Sequence, residues 1–249
     1  MKLTRRHVLL CSPVAVLLVG GFQAARRAPA SSGDPLIEGF KKTTVASVAD
    51  AVDAVAGQRG FMSHDVRPQV PGAFVGRATT ALLRPAPPEK ATPALTARHT
   101  LEMIDNAQPG QVGVIVMEGT LDLAALGGLM GTTAKVRGMA GVVIDGSVRD
   151  VAELRELGLP VYARGVVPST TVGRYASVAR DIPVTCAGVT VRPGDIIVAG
   201  EDGVVVVPAD KAEQVLKRAQ EIDAREAKMV PLIKQYKSLR KVVELFNRI

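Results

Sequence analysis

The sequence predicts an α/β fold, in which a sheet built from short apolar strands is covered by helices. Of its 249 residues, 47% are hydrophobic, whereas only 3% are aromatic and none is Trp. Such a core must be packed from Val, Ile, Leu and Ala, which favours covered sheets. From Gln111 onward, β-rich runs alternate with helical segments, which is the pattern of α/β proteins. The length suits one or two domains, and we expect a single globular domain behind an N-terminal signal.

Residues 1–30 have the layout of an export signal. A basic start with Arg5 and Arg6 precedes an apolar run from His7 to Phe22, and small residues follow up to Ala30. The start also resembles a twin-arginine signal, which bacteria use for proteins exported already folded. We therefore expect an exported, periplasmic protein without stable membrane association after cleavage. The alternative is an uncleaved run that anchors the protein in the membrane.

Most of the positive charge belongs to this signal. The formal net charge is +7, but the first thirty residues hold five basic side chains and no acid, so the rest carries 26 basic and 24 acidic residues. A phosphate-tracking surface would need a basic stripe interleaved with aromatic residues, and the sequence has none. We expect no nucleic-acid partner.

Composition and periodicity divide the remaining chain into three parts. Residues 31–43 are expected to be a linker, 44–208 the α/β domain, and 209–249 a charged helical region at a subunit interface. Pro231 should break or kink that last region. Within the domain, Val45–Val55 has apolar residues at helical spacing and stops before Gly57.

The other elements follow from apolar runs and turn residues. Strands are expected in the second half of 65–83 and at 112–117, 141–145, 161–164, 195–199 and 203–208. Helices are expected at about 121–137 and after Asp150, a loop at 85–93, and a turn at 146–150.

The Gly-rich segment Gly127–Gly131 leads into a predicted helix. Backbone N–H groups at a helix start lack partners within the helix, so those of Leu129 and Met130 could hold a substrate carboxylate. Glycine would permit the close approach. Close packing between helices explains glycines at these positions equally well.

Arg149 and Asp150 follow an apolar strand, where α/β sheets usually build their sites. Arg can bind a carboxylate or enolate oxygen by forked hydrogen bonds, and Asp offers a hard oxygen ligand to Mg²⁺. The alternative is an ordinary Asp N-cap beside a surface Arg.

Other candidate ligands and nucleophiles receive no catalytic role. His64 and His99 are far apart in sequence, so zinc is not expected. Cys186 is the one thiol outside the signal and is expected to be a small buried hydrophobe.

The run from Ala134 to Asp150 (AKVRGMAGVVIDGSVRD) resembles the signature of the RraA-like and class II 4-hydroxy-4-methyl-2-oxoglutarate aldolase family. Twenty residues separate a site position, here Gly128, from the Arg-Asp pair. Further matches are Phe61–Gly72, Glu153 and Pro193–Pro208, so the resemblance covers essentially the whole chain after the signal.

The resemblance implies a swivelling β/β/α fold assembled as trimers or hexamers, with active sites between subunits. It implies that the amides of Gly127, Gly128, Leu129 and Met130, together with Arg149, bind the pyruvyl part of a small 2-keto acid. Asp150 would bind a divalent cation, Mg²⁺ or Mn²⁺, which makes Arg149 and Asp150 the expected catalytic pair. An acidic residue of a neighbouring subunit assists the metal site in the aldolases, and Glu226 is the counterpart suggested here.

One departure from the family pattern affects the expected reaction. The aldolases generally carry Asp where this chain has Gly128. Retro-aldol cleavage needs an electron sink and a base, whereas decarboxylation of oxaloacetate needs only the sink. The sequence therefore favours decarboxylation, unless Glu118, Glu226 or another carboxylate replaces the base.

These observations predict a divalent-metal-dependent lyase that releases pyruvate from small 2-keto acids. The main alternative is a noncatalytic regulator, since some RraA-like proteins bind and inhibit partner proteins of RNA metabolism such as a ribonuclease. A third possibility is an exported binding or scaffold protein built on the same fold.

Overall fold

The computed structural model describes residues 33–246. The predicted signal at 1–30 lies outside these residues. The strands are β1 (Arg67–Val70), β2 (Phe74–Pro85), β3 (Val112–Met117), β4 (Ala124–Leu126), β5 (Gly141–Val148), β6 (Val161–Val166), β7 (Tyr175–Arg180), β8 (Val184–Cys186), β9 (Val189–Val191), β10 (Ile196–Gly200) and β11 (Gly203–Val207). The helices are α1 (Pro35–Phe40), α2 (Val45–Ala56), α3 (Pro93–Asp105), α4 (Gly128–Val136), α5 (Val151–Leu157), α6 (Ala212–Tyr236) and α7 (Leu239–Phe246).

Within the described residues, nine strands form one sheet in the order β1-β6-β5-β3-β2-β10-β11, with β4 beside β5 and β7 beside β2. The centre is parallel: β3 pairs with β2 on one side and β5 on the other, and β5 pairs with β6. All six residues of β3 are buried, as expected for a parallel strand covered on both faces. The predicted α/β fold is confirmed.

Helices α3, α4 and α5 cover the sheet on the side where the predicted site residues lie, and their core includes Ile115, Ile144 and Leu154. Helices α1, α2 and α6 pack against β10 and β11 in a separate core that includes Phe40 and Val215. This arrangement leaves α4 and α5 adjacent at the carboxyl ends of β4 and β5.

Helix α2 confirms the sequence prediction. Thr44 is the N-cap and its hydroxyl accepts a hydrogen bond from Ser47 N, while Gly57 ends the helix with φ +62°. The preceding segment differs from the predicted linker at 31–43, because it contains α1. Asp34 caps α1 by accepting from Leu36 N, and Phe40 is completely buried, so this segment is part of the domain.

Three further elements differ from the prediction. The helix expected at about 121–137 begins only at Gly128, because Ala124 and Leu126 pair with Ser147 and Val148 of β5. That pairing extends β5 through the segment 146–148, which was expected to be a turn. Helix α3 was not predicted, although Thr92 and Pro93 occupy its N-cap and first position.

The C-terminal region is helical as expected, but α6 continues through Pro231. Its buried residues Val215, Ala219 and Ile222 lie at helical spacing and hold one face against the domain, whereas Pro231 is exposed. Packing of that face therefore outweighs the cost of the proline. No helix within residues 33–246 is long and apolar enough to cross a membrane.

Cys186 is completely buried, with its sulfur 3.8 Å from that of Met62. Burial raises the pKa of its thiol well above the usual range. The prediction of a small buried hydrophobe is confirmed.

Candidate functional site

One cleft of about 190 Å³ at the carboxyl ends of β4 and β5 contains all the predicted site residues except Glu226. Both strands are parallel, so their ends lie at the same edge of the sheet. The lining includes Gly127, Gly128, Leu129, Met130, Arg149 and Asp150, together with Leu83, Thr96, Ala97, Thr100, Thr170, Thr171 and Val172.

Asp150 occupies the N-cap position of α5 but does not cap that helix. Its Oδ2 instead accepts a hydrogen bond of 2.9 Å from Gly128 N, at the start of α4. Its backbone is left-handed, with φ +55° and ψ +38°, a conformation that is uncommon outside glycine and often marks functional positions. The alternative interpretation as an ordinary N-cap is wrong, because the carboxylate accepts its hydrogen bond from α4 and none from α5.

Arg149 lies beside this carboxylate with its guanidinium largely free. Its Nε is 3.6 Å from Asp150 Oδ2, and its side chain is 40% exposed. Within the described part of the chain, the guanidinium makes no other ion pair or hydrogen bond. Its terminal N–H groups are therefore available to an anion in the cleft.

Gly127 and Gly131 must be glycine for two different steric reasons. A Cβ at Gly127 would lie 2.7 Å from Asp150 Oδ2 and 2.9 Å from Arg149 Nε, so this glycine makes room for the Arg-Asp pair. A Cβ at Gly131 would lie 2.0 Å from Leu154 Cδ2, so that glycine permits α4 and α5 to pack. The packing interpretation therefore holds for Gly131, whereas close approach of a substrate carboxylate stays a prediction.

The first turn of α4 presents backbone donors to the cleft. Asp150 takes the N–H of Gly128, and Gly127 O accepts that of Gly131. The N–H groups of Leu129 and Met130 lie between these two, in the part of a helix where the helix itself provides no acceptor. The predicted anion cradle thus consists of Leu129 and Met130, since the amide of Gly128 is already occupied. The Leu129 side chain is 86% exposed at the rim.

Two residues of this site were not assigned a role from the sequence. Glu153, in the first turn of α5, places its Oε2 only 2.0 Å from where a Cβ on Gly128 would be. Thr100, in α3, lines the cleft and is 1% exposed, and its hydroxyl has no hydrogen-bond partner among the described residues. A buried hydroxyl without a partner is costly, and a polar ligand in the cleft would satisfy it.

The two named candidates for a replacement base lie elsewhere. Glu118 forms a two-bond ion pair with Arg84, at 2.7 and 3.1 Å. Glu226 is exposed on α6, which packs with α1 and α2 on the other side of the domain. Within one chain neither residue lines the cleft, so Glu226 could act only from a neighbouring subunit.

The donor atoms suit a hard divalent cation. Asp150 and Glu153 both contact Gly128 and supply carboxylate oxygens, which Mg²⁺ and Mn²⁺ prefer. Within residues 33–246, no group of three or more His, Cys, Asp and Glu is placed to hold a metal ion. Within the described residues, one chain therefore provides fewer than three such side chains at this place.

A second charged cluster has a structural role. Arg164 Nε lies 2.7 Å from Asp145 Oδ1, and Asp145 Oδ2 accepts from Ala187 N. The Nε–H of Arg164 points away from hydrogen-bonding geometry, so the contact is an ion pair without a hydrogen bond at that atom. Asp145 thus ties the β8–β9 hairpin to β5.

The fold and the cleft together define an α/β protein in which the start of a helix and an Arg-Asp pair line one cleft at the carboxyl edge of its parallel strands. The model of the RraA-like family, described as Aldolase/RraA, matches residues 45–206. The chain belongs to this family.

Relatives and solved structures agree with this membership. A protein of Halalkalibacterium halodurans, provisionally named 4-hydroxy-4-methyl-2-oxoglutarate aldolase, is 36% identical over 50% of this chain and 59% of its own length. A protein of Deinococcus radiodurans with the same provisional name is 47% identical over 41% of this chain and 64% of its own. The chain therefore matches less than two thirds of the length of these relatives.

A crystal structure of RraAS2 from Streptomyces coelicolor has a TM-score of 0.69 and 28% identity, covering 78% of this chain and 94% of that one. RraAS2 is described as an unusual member of the RNase ES inhibitor RraA protein family. The chain is therefore similar in sequence to proteins named as an enzyme and in structure to one described as a member of an inhibitor family.

Proposed function

We propose that this protein is a divalent-metal-dependent lyase that releases pyruvate from small 2-keto acids. One observation carries the proposal: Arg149, Asp150 and the free amides of α4 converge on a single cleft. The provisional aldolase names of relatives with 36% and 47% identity support it.

Different residues of the cleft would bind the carboxylate, the keto oxygen and the cation. The N–H groups of Leu129 and Met130 would bind the 2-keto acid's carboxylate at the positive end of α4. Arg149 would bind the keto oxygen and stabilise the negative charge that develops there. Asp150, with Glu153 beside it, would hold Mg²⁺ or Mn²⁺. When bound, the cation withdraws electron density from the keto group.

Two reactions use this electron sink. Oxaloacetate loses CO₂, and the enolate that remains takes a proton to give pyruvate. In 4-hydroxy-4-methyl-2-oxoglutarate the C4 hydroxyl loses its proton and the C3–C4 bond breaks, which leaves one pyruvate and one pyruvate enolate. The enolate then takes a proton to give the second pyruvate. Only the second reaction requires a base at the hydroxyl.

The test is pyruvate release by the purified protein from each substrate, with Mg²⁺ or Mn²⁺ and again with EDTA. We expect release that the chelator abolishes. Release that EDTA leaves unchanged would contradict the metal, and no release from either substrate would contradict the lyase.

A second candidate is a noncatalytic regulator, because the similar RraAS2 structure is described as a member of an RNase inhibitor family. Inhibition of an RNase E-type ribonuclease by a protein that lacks pyruvate release would favour it. The Arg149–Asp150 pair weighs against it, since inhibition by surface binding needs no metal ligand in a cleft.

We also propose that the protein is exported and acts as a homotrimer or hexamer. The layout of residues 1–30 supports export. Exposed apolar side chains at the rim, Leu129 and Val172, support burial by a second subunit.

A further inference from the structure

We propose that the preferred substrates are 4-hydroxy-2-keto acids without a second carboxylate, and that Thr100 binds their 4-hydroxyl group. The simplest chiral member of this class is 4-hydroxy-2-oxopentanoate, which yields pyruvate and acetaldehyde. The inference rests on the proposed lyase function and names the substrate class of that same site. It derives from the chemistry of the cleft wall beyond the groups that would bind the pyruvyl end.

The charged side chains of the cleft are few. Within the described chain, Arg149 and Asp150 are the only charged residues that line it, and the rest of the lining consists of Gly, Ala, Leu, Met, Val and Thr residues. Arg149 is assigned to the keto oxygen and Asp150 to the cation. The part of a substrate that extends beyond its keto group therefore meets uncharged side chains.

Two arginines close in sequence to lining residues are already engaged. Arg84 follows Leu83 and forms its ion pair with Glu118, at 2.7 and 3.1 Å. Arg174 donates to Ser169 Oγ at 2.8 Å, and neither arginine lines the cleft. A second substrate carboxylate would thus leave water without a positive partner from the described chain, which costs free energy. A methyl group at the same end avoids this cost.

Thr100 supplies an available hydroxyl in this uncharged wall. It is 1% exposed, and among the buried side-chain N and O atoms of the lining only its Oγ1 lacks a partner within residues 33–246. One turn earlier on α3, the Thr96 hydroxyl is occupied by the carbonyl oxygens of Ala91 and Tyr175. The two threonines therefore differ in what they can offer a ligand.

The 4-hydroxyl is the substrate group that matches Thr100. Two hydroxyls can each donate and accept, so this contact would satisfy the buried Oγ1 without burying a charge. The other polar groups of the substrate already have partners, since Leu129 and Met130 would bind the carboxylate and Arg149 the keto oxygen. A single neutral donor would not offset the burial of a second carboxylate.

The reaction of this class balances without a further reactant. The 4-hydroxyl proton passes to solvent water, the C3–C4 bond breaks, and its electron pair goes to the pyruvyl fragment. Acetaldehyde leaves, and the pyruvate enolate takes a proton from water. Thr100 holds the 4-hydroxyl in place and takes no part in the proton transfer.

The first test compares two substrates that differ at the distal end. For the wild type, kcat/KM should be at least about tenfold higher for 4-hydroxy-2-oxopentanoate than for 4-hydroxy-4-methyl-2-oxoglutarate. An equal or lower value for the uncharged substrate would overturn the inference and leave the lyase function intact.

A charge added to the wall removes any difference in the intrinsic reactivity of the two substrates. Ala97, a half-buried lining residue of α3, can be changed to Lys or to Gln, which are similar in length. Ala97→Lys should shift the ratio of the two kcat/KM values toward the dicarboxylate by about tenfold relative to Ala97→Gln. The same ratio in both variants would contradict an uncharged distal wall.

Thr100→Val tests the hydroxyl contact. KM for 4-hydroxy-2-oxopentanoate should rise about tenfold, whereas KM for oxaloacetate, which has no 4-hydroxyl, should stay unchanged. Thr100→Ser should restore the lower KM. The control is Thr190→Val, an exposed threonine of the β8–β9 hairpin, which should behave as the wild type. An equal rise for both substrates would indicate a general structural effect and overturn the role of Thr100.

If the wild type releases pyruvate from none of these substrates, the proposed function fails and binding decides the inference. The melting temperature is then measured with Mn²⁺ and equal concentrations of 4-hydroxy-2-oxopentanoate or 4-hydroxy-4-methyl-2-oxoglutarate. A larger rise with the uncharged ligand, lost in Thr100→Val, would retain the inference as a binding preference. Equal rises, or none, would overturn it.

Discussion

At the scale of single residues, the Asp150 carboxylate combines two roles that substitution can separate. Its Oδ2 accepts from Gly128 N at 2.9 Å, and its negative charge is the proposed cation ligand. Asp150→Asn retains an oxygen for the hydrogen bond, so the free energy of unfolding should change by no more than about 1 kcal/mol. Chelator-sensitive pyruvate release should fall by about 100-fold or more. Full activity in this variant, measured with saturating Mg²⁺, would remove Asp150 from the site.

Thr100 and Thr96 lie one turn apart on α3 and form a natural comparison. Thr96 Oγ1 contacts the carbonyl oxygens of Ala91 and Tyr175 at 3.0 and 2.6 Å, whereas Thr100 Oγ1 has no partner in the described chain. Thr96→Val should therefore lower the free energy of unfolding by about 1 kcal/mol or more. Thr100→Val should leave it unchanged or raise it, while KM for the 2-keto acid rises.

Denaturant unfolding and steady-state kinetics on both variants check this pair. A Thr100→Val protein that is less stable than Thr96→Val would show that the Thr100 hydroxyl is satisfied without ligand. An unchanged KM would show that it does not contact the substrate.

The position of a site residue can be predicted from the sequence where it follows from the strand directly before it. Arg149 and Asp150 directly follow an apolar strand, so their place at the edge of the sheet could be predicted. Glu153 and Thr100 could not be assigned, because their roles depend on side-chain directions between elements. The distance from Glu153 to Gly128 exists only once α4 and α5 pack together.

At the scale of elements, the packing of α4 on α5 determines the geometry of the site. Gly131 lets Leu154 approach so closely that an added Cβ would lie 2.0 Å from Leu154 Cδ2. Gly131→Ala should therefore lower the free energy of unfolding by about 1–3 kcal/mol through overpacking. It should also lower turnover, since α5 carries Asp150 at its start.

A double-mutant cycle isolates this contact. Leu154→Ala alone leaves a cavity and should cost about 2–5 kcal/mol. Together with Gly131→Ala it should cost less than the sum of the two single changes, because the added methyl occupies the vacated space. Strictly additive effects would show that α4 and α5 do not contact each other at this point.

Elements were predictable from sequence where their own pattern was strong. β3 and α2 agree with prediction because a buried apolar run and a capped helix are local signals. β4 is only three residues long and exists because it pairs with the end of β5. Likewise, the prediction of a linker at 31–43 is wrong, because the burial of Phe40 against the domain holds the few residues of α1 in place.

At the scale of the whole molecule, an ion pair joins the beginning of the described chain to the sheet. Asp34 Oδ2 lies 2.7 Å from Arg77 NH2. Burial works to raise the pKa of Asp34, but the hydrogen bond and charge of Arg77 and the amide of Leu36 outweigh it, so this pKa is lowered. The stabilisation is therefore fully present above the ordinary value of 3.8 and is lost as the pH falls through the lower folded value.

Melting temperature as a function of pH checks this coupling. Between about pH 5 and about pH 2, the wild type should lose more stability than Asp34→Asn, which cannot titrate at this position. Parallel curves for the two proteins would show that the pair does not couple protonation to folding. Asn can still cap α1, but it loses the ion pair with Arg77, so the variant should be somewhat less stable at neutral pH.

If the protein forms the proposed oligomer, residues from two chains can contribute to one site. Asp150 lies in the cleft, whereas Glu226 lies on α6 on the other side of the same domain. If Glu226 completes the site of a neighbouring subunit, Asp150→Asn and Glu226→Gln each inactivate every site in their own homo-oligomer.

After the two variants are unfolded and refolded together, random assembly places both intact residues at about a quarter of the sites. Mixed oligomers should therefore recover about a quarter of wild-type pyruvate release. The separately refolded variants should recover none, and this difference would be the signature of shared sites. If the mixture instead shows only the average of the two separate activities, then Glu226 does not act across a subunit boundary. In that case the carboxylates of the site, Asp150 and Glu153, belong to one chain.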